Sequence, residues 1–110
     1  MSEETYPGWY AYIKENHGKF ISALEQLGET VRQAGPLEAK TSHLIQLAAA
    51  AAIRSEGSVH SHARRALKAG ATSEEIYHAV LLLTSTIGFP NTSAALSWVF
   101  EVLGEKKPPA

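Results

Sequence analysis

The side chains able to transfer protons or hold a metal are mostly histidines. The chain has five, of which His43, His60, His62 and His78 fall where helices are expected. Imidazole changes charge near neutrality and, when neutral, ligates transition metals. Ser58 and His62 stand four residues apart, which places them on one helical face if Ser58 lies in the first turn. His60 is two residues from His62 and so occupies a different face, a poor spacing for joint ligation. His43 precedes this segment by one helix and His78 follows it by one. Convergence of His43, His62 and His78, with His60 and an oxygen from Glu56 in reserve, would make a site for a divalent transition metal such as zinc, nickel, copper or iron. The ordinary readings stand beside this one. A helical histidine is commonly exposed or a hydrogen-bonded core residue, and Ser58 reads equally well as a helix N-cap. No cofactor is predicted; the metal is the alternative.

Composition removes several classes of chemistry. There is no cysteine, which excludes disulfides, zinc ribbons, iron–sulfur clusters and any thiol reaction. Every acidic residue is a glutamate, so a conventional calcium loop with aspartate at its early positions is excluded. A net charge of -1 gives no basic face for nucleic acid. The densest cationic spot, Arg64, Arg65 and Lys68, reads as a solvated helix face. The segment from Met1 to Tyr6 is acidic and polar, unlike a signal peptide, and no apolar run approaches the roughly 20 residues of a membrane span. No membrane partner and a cytoplasmic location are the expectations.

The elements that must position these groups are helices. Pro7 opens a first amphipathic segment with Trp9, Tyr10 and Ile13, which kinks or breaks at Asn16-His17-Gly18. Phe20, Leu24, Leu27 and Val31 form one stripe of a second segment, ended by Gly35-Pro36. A third helix starts near Glu38 to Ser42 and runs to about Arg54. Its alanine run, Ala48 to Ala52, favours helix and permits close approach of neighbours. Ser55 to Ser58 reads as a turn around Gly57, followed by a helix over Val59 to Ala69. Thr72 and Glu75 fit a capping box for a helix carrying Ile76, Val80, Leu83 and Ile87. Gly88-Phe89-Pro90 breaks it, and a last helix carries Leu96, Val99, Phe100 and Leu103. The reading is all-α: one domain over residues 1–110, a compact bundle of about five to six helices, with an N-terminal extension over 7–34 and a frayed tail over 105–110.

The segment from His62 to Gly88, HARRALKAGATSEEIYHAVLLLTSTIG, resembles the carboxymuconolactone decarboxylase family, which includes the alkylhydroperoxidase D-like proteins. The histidine eight residues before the glycine of Ala-Leu-Lys-Ala-Gly-Ala-Thr carries the resemblance, together with Glu-Glu-Ile and Gly-Phe-Pro-Asn. Upstream, Leu37-Glu38-Ala39-Lys40 and His43-Leu44-Ile45 look like the family's lead-in to its alanine-rich helix. The likeness covers about residues 37–103. In the peroxidase branch the motif is Cys-x-x-Cys-x-x-x-His with a glutamate one helix earlier. By that resemblance the histidine falls on His62, the cysteines on Ser58 and Ser55, and the glutamate on His43. A serine hydroxyl is a far weaker acid than a thiol and forms no disulfide, so peroxidase turnover is not expected. The resemblance also implies self-assembly into a homotrimer or hexamer.

Three functions follow. The first is an enzyme of lyase or isomerase type acting on, or a protein binding, a small carboxylated or lactone-like metabolite. There His62 is the acid or base, His43 assists, Ser58 and Ser55 flank the site, and Arg64 or Arg65 holds a carboxylate. The second is a metal protein built on His43, His62 and His78. The third is a non-catalytic oligomeric binding or scaffold protein with a degenerate site. A Ser58–His62 hydrolase is a weaker fourth, because no aspartate orients the histidine.

Overall fold

The computed structural model describes residues 8–104. They form seven helices: α1 (Gly8–Asn16), α2 (Gly18–Arg32), α3 (Ala39–Ala52), α4 (Glu56–Lys68), α5 (Ser73–Leu81), α6 (Thr84–Ile87) and α7 (Phe89–Leu103). No strand occurs among the described residues, and α6 is a single turn, so the all-α expectation holds. No helix there is long and apolar enough to cross a membrane. The chain divides after Pro36 into two compact units.

The first unit contains α1 and α2. Pro7, expected to open the first helix, lies outside the described residues, as does the tail over 105–110. The break at Asn16-His17-Gly18 is real: His17, at φ -135 and ψ 55, leaves helical geometry and caps α2. Across this break the Tyr10 hydroxyl donates to Glu25 Oε2 at 2.8 Å, and Lys14 Nζ reaches the same oxygen at 3.2 Å. The Phe20, Leu24, Leu27 and Val31 stripe is present and exposed, at 64%, 47%, 58% and 53%, while Ile21 is buried. α2 also stops at Arg32, before the Gly35-Pro36 pair assigned as its terminator.

The second unit holds the candidate chemistry. Its core takes Leu47, Ala50 and Ala51 from α3, Val59, Ala63 and Ala66 from α4, Ile76 and Val80 from α5, and Ala95 and Val99 from α7. The buried alanines let helix axes approach, since a methyl group is all that separates the backbones. α3 closes in a Schellman turn. Ser55 N–H bonds the Ala50 carbonyl and Arg54 N–H bonds that of Ala51, with Arg54 in the left-handed region at φ 58. Glycine usually fills that position. Here the Arg54 guanidinium donates to Asn91 Oδ1 and lies 5.9 Å from the Trp98 ring centroid, contacts that offset the backbone cost. α4 ends in the same kind of turn, with Gly70 at φ +102.

Two further helix boundaries differ from the sequence reading. The segment Ser55–Ser58 is not a turn around Gly57; Ser55 caps the helix and Ser58 lies in its first turn. The expected helix reaching Ile87 is two, because α5 ends at Leu81 and α6 begins at Thr84. The Thr72–Glu75 capping box forms as expected, at 3.0 Å and 2.9 Å. Lys40 Nζ on α3 reaches the same glutamate at 3.2 Å.

Two outcomes test this packing. Ala63→Leu should destabilise the protein by about 1–3 kcal/mol through overpacking, whereas Ala49→Leu, at an exposed position of α3, should be near neutral; denaturant melts compare them. The Glu75 carboxyl is held below the ordinary value of 4.5, first by the Thr72 N–H and then by Lys40. A depressed folded value adds stability above the unfolded value and loses it as pH falls through the folded one. Glu75→Gln should therefore flatten the melting-temperature curve below about pH 4.5 and leave the acid-independent part of the curve parallel to the wild type.

Candidate functional site

The site is built on the α3–α4 pair. His43 lies in the first half of α3 and is buried, with 8% of its surface exposed. His62 lies mid-way along α4 and is half-buried. Their rings face each other with centroids 5.5 Å apart, tilted by 34°, and with His43 Nδ1 3.3 Å from His62 Nδ1. Two facing Nδ1 atoms make a hydrogen bond only if one carries a proton and the other a lone pair. The neutral pair must therefore hold its rings in opposite tautomers. Two imidazolium rings would set N–H against N–H and cation against cation, so the arrangement suits a pair that accepts one additional proton between its two rings.

The other expected residues sort by helix phase. Ser58 is one turn before His62 on α4, satisfying the condition for a shared face, but its hydroxyl forms no hydrogen bond with His62. Ser55 is the α4 cap position by backbone geometry, yet its side chain makes no capping bond. Arg65, three residues after His62, flanks the His62 face, while Arg64 is rotated toward that of His60; both are half-buried. His78 is exposed on α5. Among the described residues, His43, His62 and His78 do not bring three donor atoms within 4.8 Å of one another, so the structure joins the first two and leaves the third apart. An open apolar groove of about 440 Å³ lined by Tyr77, Leu81, Leu96, Ser97 and Phe100 includes none of these groups.

One polar residue near the pair escaped the sequence reading. Gln46, three residues after His43 on α3, has a buried Oε1 without a hydrogen-bond partner. A side-chain acceptor left unsatisfied in this way is uncommon and costs stability unless a ligand or water meets it. Its signal in the sequence was only a polar residue one turn from His43.

The serine–histidine frame can be compared with known proteins. The sequence model of the carboxymuconolactone decarboxylase family matches residues 18–101. The chain belongs to that family. The match begins at α2, well before the Leu37 at which the resemblance was expected to start, so α2 is part of the family region. The chain is also similar to an uncharacterized protein of Methanocaldococcus jannaschii, 28% identical over 94 residues, covering 86% of this chain and 88% of the relative.

The paired tautomers are directly measurable. Long-range proton–nitrogen spectra should show one Nδ1–H and one Nε2–H ring at His43 and His62, and His43→Ala should remove the fixed tautomer of His62. Identical tautomers in both rings would contradict the hydrogen bond.

Proposed function

We propose that this member of the carboxymuconolactone decarboxylase family acts on, or binds, a small carboxylated or lactone-like metabolite, with His62 as acid and base. The 3.3 Å contact between His62 and buried His43 carries the reading. His62 is the more accessible ring, and it takes a proton from the ligand and returns it to the product. His43 holds the tautomer that leaves the outer nitrogen of His62 ready for this exchange, and it spreads the added charge. Arg65, beside His62 on α4, offers a guanidinium to a ligand carboxylate, with Arg64 as the less well-placed alternative. Gln46 Oε1 accepts from a ligand hydroxyl, and Ser58 donates to a ligand oxygen. With serine at both thiol positions, the chemistry is of lyase or isomerase type and not peroxide reduction.

The same reading includes self-assembly. Phe20, Leu24, Leu27 and Val31 recur on one stripe of α2, and all are exposed. A contiguous apolar stripe of this kind is expected to be covered by a further copy of the chain in a trimer or hexamer.

A panel of small carboxylic acids and lactones, followed by chemical-shift perturbation and by turnover, tests the site. For any compound turned over, His62→Gln should lower kcat by roughly 10²–10⁴-fold while binding persists. Undiminished turnover would remove His62 from the chemistry. For assembly, sedimentation should show an oligomer in the wild type and a smaller species in Leu24→Glu/Leu27→Glu; a monomeric wild type would overturn that part.

A further inference from the structure

The second histidine of α4 sits in a different constellation. His60 is two residues before His62, which turns it about 200° around the helix and away from the His43 pair. Glu56, one turn earlier, shares its face. Glu101 of α7 comes to the same place from 41 residues further along the chain, with its Oε1 2.9 Å from His60 Nε2. One donor atom from each of Glu56, His60 and Glu101 lies within 4.8 Å of the other two. The His60 side chain is 20% exposed and that of Glu101 55%, so the imidazole is held by packing while the carboxylate is free to adjust. Among the described residues, Glu56 has no hydrogen-bond or ion-pair partner. Arg64, the next residue along this face, forms no ion pair with either glutamate among the described residues.

We propose that Glu56, His60 and Glu101 form a binding site for a divalent transition metal, with zinc as its best-suited occupant. One imidazole nitrogen and two carboxylate oxygens are a ligand set that zinc accepts, with water completing the tetrahedron. Ligands about 2.0–2.2 Å from a tetrahedral ion lie about 3.4 Å from one another. The trio therefore closes by rotation of the two exposed glutamates, without movement of α4 or α7. The proton on His60 Nε2 shifts to Nδ1 or to solvent as the ion takes its place. Two carboxylates then neutralise the charge of the ion. Bound there, zinc ties the first turns of α4 to the last turns of α7. It acts as a staple between the helix that carries His62 and the last helix of the core, separate from the His43–His62 pair.

The test is calorimetric titration of the untagged full-length chain with zinc chloride, with melting curves run in parallel. The wild type should bind one ion per chain and gain several degrees in melting temperature at saturating zinc. His60→Ala and Glu101→Gln should each weaken binding at least tenfold and abolish the thermal gain. Both variants should keep the helical circular dichroism of the wild type, since Glu101 is exposed and His60 lies at the surface end of its packing. His43→Ala and His62→Ala should bind zinc as the wild type does. Absence of binding by the wild type at tenfold excess overturns the proposal. So does binding undiminished in both His60→Ala and Glu101→Gln, or binding lost in the His43 and His62 variants instead. These results leave the acid–base reading of His62 standing or falling on its own turnover assay.

Discussion

The close approach of α3 and α4 is the constraint on which the remaining features depend. It is made by residues with almost no side chain: Ala50 and Ala51 on one helix, Ala63 and Ala66 on the other, all essentially excluded from solvent. Small side chains at the interface let the two backbones come near enough for short-reaching imidazoles to meet. His43 and His62 touch through their Nδ1 atoms, the ring nitrogens nearest the backbone. With leucines at these four alanines the helices would stand further apart, and that contact could not form. The alanine run is thus a positioning device as much as a helix-favouring one.

Helix phase then distributes chemistry around α4. Its residues serve three directions: Val59, Ala63 and Ala66 toward the core, His62 toward α3, and His60 toward Glu101 on α7. A period of about 3.6 residues allows this separation within four positions. Two histidines close in sequence thereby have unrelated surroundings, one paired with a second imidazole and one with a carboxylate. Ser55 and Ser58 stand at the start of the same helix and, as hydroxyls, supply no thiolate. Family membership accordingly informs the frame, and the residues present decide what the frame can do.

Legibility in the sequence tracked how local the governing interaction is. The Thr72–Glu75 capping box spans four residues and was readable outright, as was the break around His17. The start of α4 was not, because Gly57 looks like a turn residue although it lies within the helix. The division between α5 and α6 was hidden as well, since Leu82 and Leu83 carry no breaker signal. The α2 stripe was legible in its period, and periodicity identifies an apolar face without saying what covers it. The His43–His62 contact was open from the order of the helices and from the resemblance but not fixed by spacing, and the approach of Glu101 to His60 across 41 residues had no local trace.

Arg54 occupies a left-handed position usually filled by glycine, and it is anchored by Asn91 and Trp98. It sets the length of the link between two helices whose rotational phases must match. Adding or deleting one residue between Ala52 and Glu56 would turn α4 by about 100° relative to α3. His62 would then swing out of register with His43, and His60 with Glu101, in the same event. This short connection should therefore tolerate changes of residue type far better than changes of length, unlike an ordinary surface loop, where insertions and deletions are the variation most easily absorbed.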